Sequence, residues 1–415
     1  MIKLGILFQE DEMEHKDLSR PELGNPGVGG TAFCFLLLIR YLQDHRDQID
    51  LTVYQIKENK LPDCRAVMVP DTQTAFLKAA EDGLDMMLVR NHQTDRVYEE
   101  MTKSGLSFII WMHNKLTWNE IRLLDRFDAV RRIVCVGREM YDYYLDDPVI
   151  RKMDVVSNMF VPPSEEMIRS KDYPLWVTYT GSLTYDKNFH LLAAVWKNIV
   201  KEVPDAQLHV IGSGRLYDPD SKMGAYGIAE SEYEAMFMPA LCDENGEILS
   251  SVIFHGILGE EKYEIYRKSA VGVLNPMATE TFCLAAIEKE ACGVPVVSRR
   301  KNGLLDTVQD GKTGILYRKI ERLEETILKL LKDRELNERM GKEALEFARN
   351  EFLPEKIMPE WIRVFREVKD GIPAVFRHPK ANLDNNGKRI RLLWHGLHQI
   401  PFLRWIPSIH DLQKK

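Results

Sequence analysis

At 415 residues the chain exceeds what one hydrophobic core organises, so two domains are expected. Its 45% hydrophobic and 29% charged content is that of a folded globular protein, and a net charge of −7 excludes a general nucleic-acid binder, which needs a basic surface. Six scattered cysteines without a C-x-x-C pair argue against structural zinc and for a reducing cytoplasm, and no apolar run of ~20 residues offers a membrane span.

The run from Ile2 to Phe8 stops at Gln9-Glu10-Asp11-Glu12, too short for a secretory leader, and reads as a first buried strand over 3–8. Further strands are predicted at 51–55, 86–89, 107–112, 132–136 and 154–156. Between them lie helical patterns at 31–45, 72–81, 95–103, 119–126 and 138–145. Short apolar strands alternating with helices predict a parallel sheet covered on both faces. Val161-Pro162-Pro163-Ser164 through Tyr173-Pro174 then breaks the pattern, since Pro-Pro continues neither element, and marks a linker.

The alternation resumes with strands at 175–180, 207–211, 251–254, 270–274 and 294–298 and helices at 190–200, 261–268 and 281–292. An insertion from 215 to 249 carries a turn at Asp243-Glu244-Asn245-Gly246-Glu247. Charged helices follow at 321–332 and 335–350, then 354–369, and the composition changes after Gly371-Ile372-Pro373. The predicted fold is therefore α/β, with two Rossmann-like doubly wound domains at 1–165 and 166–353. A helix at 354–370 returns to the first domain, and 371–415 forms a basic, aromatic extension.

The most informative stretch runs from Pro276 through Glu280 and Glu288 to Ser298: strand end, loop, short helix, Gly turn and strand. A carboxylate at a strand's C-terminal edge, followed by a helix N-terminus, suits a hydroxyl-rich ligand with an anionic leaving group. If one helix carried both glutamates, they would lie ~12 Å apart along its axis, beyond the spacing of a glycosidase pair. Gly24-Asn25-Pro26-Gly27-Val28-Gly29-Gly30-Thr31 offers a backbone-rich turn before a helix. It is not G-x-G-x-x-G and lacks the acidic ribose partner, so a nicotinamide dinucleotide loses ground. His113 ends the strand 107–112 at its C-terminal edge, a position from which it could meet a ligand.

The second half resembles the retaining, nucleotide-sugar-dependent glycosyltransferases of family 4, which have the GT-B fold of two Rossmann-like domains facing a cleft. The resemblance rests on Thr180-Gly181-Ser182-Leu183-x-x-x-Lys187-Asn188, His209-Val210-Ile211-Gly212-Ser213-Gly214 and Phe254-His255-Gly256. It continues through Glu280 and Glu288, Gly293-Val294-Pro295-Val296-Val297, Asn302-Gly303 and Asp310-Gly311-x-x-Gly314. It implies transfer of a sugar from a donor such as a UDP- or GDP-sugar to an acceptor hydroxyl, saccharide or lipid-linked, with retention, the leaving phosphate helping to deprotonate the acceptor. Polysaccharide or glycoconjugate synthesis is the implied setting, with no cofactor and no metal. Asp218-Pro219-Asp220 lies in the insertion, away from a metal-binding context.

By the same resemblance Glu280 faces the transferred sugar, Glu288 holds the ribose hydroxyls, Lys187 meets the phosphates and His113 lies near the reacting sugar. Gly29, Gly30, Gly181, Ser182, Gly212, Gly256 and the segment Thr281, Phe282, Cys283 and Leu284 line the donor. Asn158 matches a residue before the linker. The family's arginine after the first glycine is Ser182 here, which weakens the phosphate grip unless Arg299 or Arg300 substitutes. That departure keeps open a donor-binding, non-catalytic subunit, and the shared architecture keeps open a nucleotide-sugar 2-epimerase. Two readings of the tail from Gly387 to Pro407 also stay open: a peripheral contact with the inner face of the membrane, or docking of its aromatics on the protein itself.

Overall fold

In the computed structural model, residues 1–9, 14–215, 222–277, 280–403 and 405–413 are described. Asp218-Pro219-Asp220 lies outside them. Met1–Glu22, Gly30–Met159 and Pro354–Lys415 form one compact unit; Leu23–Gly29 and Phe160–Leu353 form a second.

The first unit holds seven parallel strands: β1 (Ile2–Phe8), β2 (Ile49–Gln55), β3 (Arg65–Met68), β4 (Met86–Arg90), β5 (Ser107–Met112), β6 (Val130–Cys135) and β7 (Met153–Val155). Their order is β3-β2-β1-β4-β5-β6-β7. β4 and β5 bury nearly every side chain, which is why they read as unbroken apolar runs. The sequence gives no sign of β3, a short edge strand whose four residues are mostly exposed and follow no alternation. The helix expected at 138–145 is shorter, Arg138–Asp142.

The helix Pro354–Lys369 completes this unit. Its Trp361 ring meets Trp111 edge-on at 4.8 Å, and its Arg363 reaches the buried Asp154 on β7 at 2.9 Å. Arg132 of β6, fully buried, bonds the same carboxylate at 3.1 Å. The tail then docks through its charges. Lys388 reaches Glu139 at 2.5 Å and Asp142 at 3.0 Å, Arg391 reaches Asp146 at 2.5 Å, and His410 reaches Asp147 at 2.5 Å. Four acids of the 139–147 stretch thus capture three basic residues of the extension. Of the two readings left open, docking on the protein is seen, but through charge: Phe402 and Trp405 are both 77% exposed, with Ile390 and Leu393 also facing out from the helix Lys388–His398.

The second unit holds six parallel strands: β8 (Trp176–Thr180), β9 (Gln207–Ile211), β10 (Val252–Gly256), β11 (Ser269–Val273), β12 (Val296–Arg299) and β13 (Gly314–Tyr317), in the order β10-β9-β8-β11-β12-β13. Its core gathers Val177, Tyr179, Leu208, Val210, Val271 and Val273 from the sheet with Phe189, Leu192 and Trp196 from the helix Phe189–Glu202. Full burial of such side chains contributes about 1.5–3 kcal/mol each.

The insertion is more than a loop. It folds a helix, Ser231–Leu241, whose Tyr233, Phe237, Met238 and Leu241 join the same core. Pro239 in its last turns masks it at the sequence level. The turn at 243–247 closes with Asp243 N–H donating to Glu247 O at 2.8 Å, beside a single antiparallel bridge between Cys242 and Ile248. Among the described residues no helix is long and apolar enough to cross a membrane.

Candidate functional site

In each sheet the order of strand addition reverses once, between β1 and β4 and between β8 and β11. An open parallel sheet leaves a crevice at such a point, outside the C-terminal strand ends, because the loops there leave toward opposite faces. In the second unit the loops after β8 and β11 carry Gly181-Ser182 and the stretch that includes Glu280.

Three adjacent strands end on glycine. Gly181 N–H donates to Ile211 O at 3.1 Å, and Gly212 N–H to Gly256 O at 2.8 Å. A Cβ on Gly212 would stand 1.9 Å from Gly181 O, so β8 and β9 approach too closely there for any side chain. The strand ends therefore present bare backbone on which a flat ligand can lie.

Ser182 is buried, and its hydroxyl exchanges a hydrogen bond with Thr184 at 3.1 Å. A short turn, Tyr185–Lys187, is closed by Asn188 in the left-handed region (φ 56°) and starts the helix Phe189–Glu202. That turn delivers Lys187 to Glu280, with Nζ to Oε1 at 2.5 Å, while Asn275 Nδ2 donates to the same oxygen at 3.2 Å.

Glu280 does not lie on the helix with Glu288. The helix is Leu284–Glu290, and Cys283 before it takes φ 89°, ψ 78°, a conformation side chains rarely adopt. The ~12 Å helical spacing thus does not apply, and each carboxylate instead has its own lysine: Glu288 Oε1 is 2.7 Å from Lys262 Nζ, both buried. Thr281 and Phe282 are braced from behind. Gly303 N–H donates to Glu280 O at 3.1 Å, and a Cβ on Gly303 would lie 2.2 Å from the Thr281 carbonyl. Phe282 is buried edge-on against Phe352 at 5.6 Å, and Leu284 opens the helix.

The glycine loop is ordered by Asn25, whose Oδ1 accepts from Gly27 N–H at 3.0 Å and Val28 N–H at 2.8 Å. Gly24 stands where a Cβ would be 2.8 Å from Glu260 Cγ. Gly29 closes the segment grouped with the second unit, and Gly30 opens the helix Gly30–Leu42 of the first. His113, in the first unit, is buried against Trp111 with ring centroids 4.6 Å apart, and its N–H donates to Asn91 at 3.2 Å. Burial, helped by Arg90, holds its imidazole pKa down at about 3, so it is neutral at physiological pH. Asn158 is buried near the end of the first unit's main segment.

Arg299 and Arg300 do not take the place of a cation at Ser182. Arg299 ends β12 and Arg300 follows it, two strand spacings (about 10 Å) from β8. Arg299 meets Met277 Sδ at 2.9 Å and lines an open depression of about 510 Å³ with Arg318, Lys319, Ile320 and Glu321, while Arg300 lies 3.7 Å from Asp310. Sequence reasoning missed Lys262 and Lys289, both of which look like solvated helix residues. The signal for Lys289 was Gly272, an unexplained gap in the apolar β11.

Residues 165–347 match the family model described as glycosyl transferases group 1. Among curated relatives, the sulfoquinovosyl transferase SQD2 of Arabidopsis thaliana is 30% identical over 179 residues, 41% of this chain and 29% of that protein. The capsular polysaccharide biosynthesis glycosyltransferase CapM of Staphylococcus aureus is 30% identical over 186 residues, 44% of each chain. The matched stretches thus span less than half of either relative. Among solved structures, Alr3699/HepE of Anabaena in complex with UDP and glucose superposes with a TM-score of 0.64 at 14% identity, covering 88% of this chain and 100% of that one. The two share a fold.

Proposed function

We propose that this protein is a retaining, metal-independent glycosyltransferase that moves a sugar from a nucleotide diphosphate donor to an acceptor hydroxyl, in polysaccharide or glycoconjugate synthesis. The observation that carries the reading is the β8/β11 switch point. There the glycine floor follows β8 and β9, Lys187 reaches Glu280 in the loop after β11, and Glu288 on the next helix is held by Lys262.

A nucleoside diphosphate is already a good leaving group, so the site must supply positive potential more than a proton. Lys187 would shift from Glu280 to the diphosphate, releasing that carboxylate toward the sugar. The backbone N–H groups of Phe282, Cys283 and Leu284 would add dipolar stabilisation. Glu288, fixed by Lys262, would accept from the ribose hydroxyls. His113, kept neutral by burial, would hydrogen-bond rather than abstract a proton.

Six free thiols accord with work in a reducing cytoplasm. The outward row of Ile390, Leu393, Phe402 and Trp405 would let the protein sit on the inner face of the membrane. Ser182 favours one second reading, a donor-binding subunit without turnover. Incubation with UDP-, GDP- and ADP-sugars separates them. Slow release of free sugar and nucleotide supports the enzyme, and binding of a nucleotide with no turnover of any donor supports the subunit.

A further inference from the structure

The lysines around the switch point differ in one respect. Lys187 is paired with Glu280 and Lys262 with Glu288, so their charges are largely spent within the protein. Lys289, the next residue along the helix, is fully buried, and no carboxylate among the described residues forms an ion pair with it. Its Nζ donates to Thr180 Oγ1 at 2.5 Å and lies 4.0 Å from the centre of the Tyr266 ring, whose hydroxyl donates to the same Thr180 oxygen at 3.0 Å.

The space is built for it. A Cβ on Gly272 of β11 would stand 2.5 Å from Lys289 Cδ, so only glycine at that position lets the lysine pass beneath the sheet to the end of β8. Thr180 is the last residue of β8 and is followed directly by Gly181 and Ser182. An ammonium buried on hydroxyl and ring partners, with no carboxylate bonded to it, weakens the fold, because desolvation disfavours its charge.

We propose that Lys289 is a positioning residue beneath the Gly181-Ser182 strand end that takes up a proton when a nucleoside diphosphate binds, and so supplies the positive charge that holds it. This rests on the function proposed above and adds how the site attracts its anion without a cationic side chain at Ser182. Burial draws the lysine pKa down to about 7. Glu288, Cys283 and Cys292 pull it back up, and Lys262 pushes it down. A diphosphate arriving above would favour the ammonium and raise that pKa, drawing a proton from solvent.

The test is calorimetric titration of the full-length protein with UDP and with GDP, in buffers of different ionisation enthalpy at about pH 8, where most of the lysine is neutral. Wild type should take up a large fraction of one proton per site. Lys289→Met should bind about tenfold more weakly, without uptake. It should melt no lower than wild type, since a buried charge has been removed. Unchanged affinity and undiminished uptake in Lys289→Met would overturn the inference, as would nucleotide binding by wild type with no proton uptake, a readout that does not depend on the variant folding. If wild type binds no nucleoside diphosphate at all, the functional reading fails and the inference with it.

Discussion

Lys187 and Glu280 hold one another at 2.5 Å, so each is the other's substitute for a ligand. On the proposed function, Glu280→Ala leaves Lys187 to the phosphates and removes the carboxylate assigned to the sugar. Donor affinity should then hold or improve while kcat falls about 10²–10³-fold, read by steady-state kinetics. A matched loss of affinity would instead mark Glu280 as a binding residue only. Gly212 makes a second, purely steric prediction. Its missing side chain lets backbone meet backbone, and a Cβ there would stand 1.9 Å from Gly181 O, a backbone atom. Gly212→Ala should cost about 1–3 kcal/mol in urea denaturation and weaken nucleotide binding, because the floor itself must shift. Normal binding with normal stability would show that the strand ends have slack.

At the scale of elements, the extension is held by charge rather than by grease. Lys388→Met would remove the buried cation that Glu139 and Asp142 share, leaving Asp142 to Arg138 alone, at a cost of about 3–5 kcal/mol measured by denaturant unfolding. For the same reason a membrane role is better tested by Phe402→Ser with Trp405→Ser than by cutting the tail away. Full-length protein should float with anionic vesicles and the double variant should not. Equal flotation would place any lipid contact elsewhere.

The helix Trp118–Arg126 gives a pH prediction. Burial raises the Glu120 pKa, but hydrogen bonds from His92, Thr117 and Tyr98 outweigh it and bring it to about 2. A depressed carboxylate stabilises the fold above its unfolded value of about 4.3, and that contribution is lost as pH falls toward 2. Glu120→Gln should flatten the loss of stability over that acid range; an identical acid profile would show that Glu120 adds nothing.

The elements differ in how legible they are, for physical reasons. β4, β5 and the strands of the second sheet are buried on both faces, so composition alone reveals them. β3 lies exposed at an edge, and the helix Ser231–Leu241 contains a proline, so neither carries its usual signature. Glu280, Glu288 and Lys187 stand out through the resemblance to family 4, whose motif order they follow. That the helix begins only at Leu284 rather than at Thr281 is not readable, since it depends on the unusual backbone of Cys283. Partners such as Lys262 and Lys289 come from tertiary packing, and a lysine flanked by glutamates reads as surface until the fold places it inside.

At the scale of the whole molecule, two doubly wound units come from one chain whose last segment, Pro354–Lys415, returns to the unit in which it began. The account requires that the second unit binds the nucleotide at its β8/β11 switch point. The direct measurement is a thermal-shift panel of UDP-, GDP- and ADP-sugars on wild type and Glu288→Ala, since a ligand specific to the native state raises its melting point by mass action. The account predicts that one nucleotide series raises the wild-type melting temperature and that the shift is largely lost in Glu288→Ala. A shift of equal size in both proteins, or none from any donor, would contradict it.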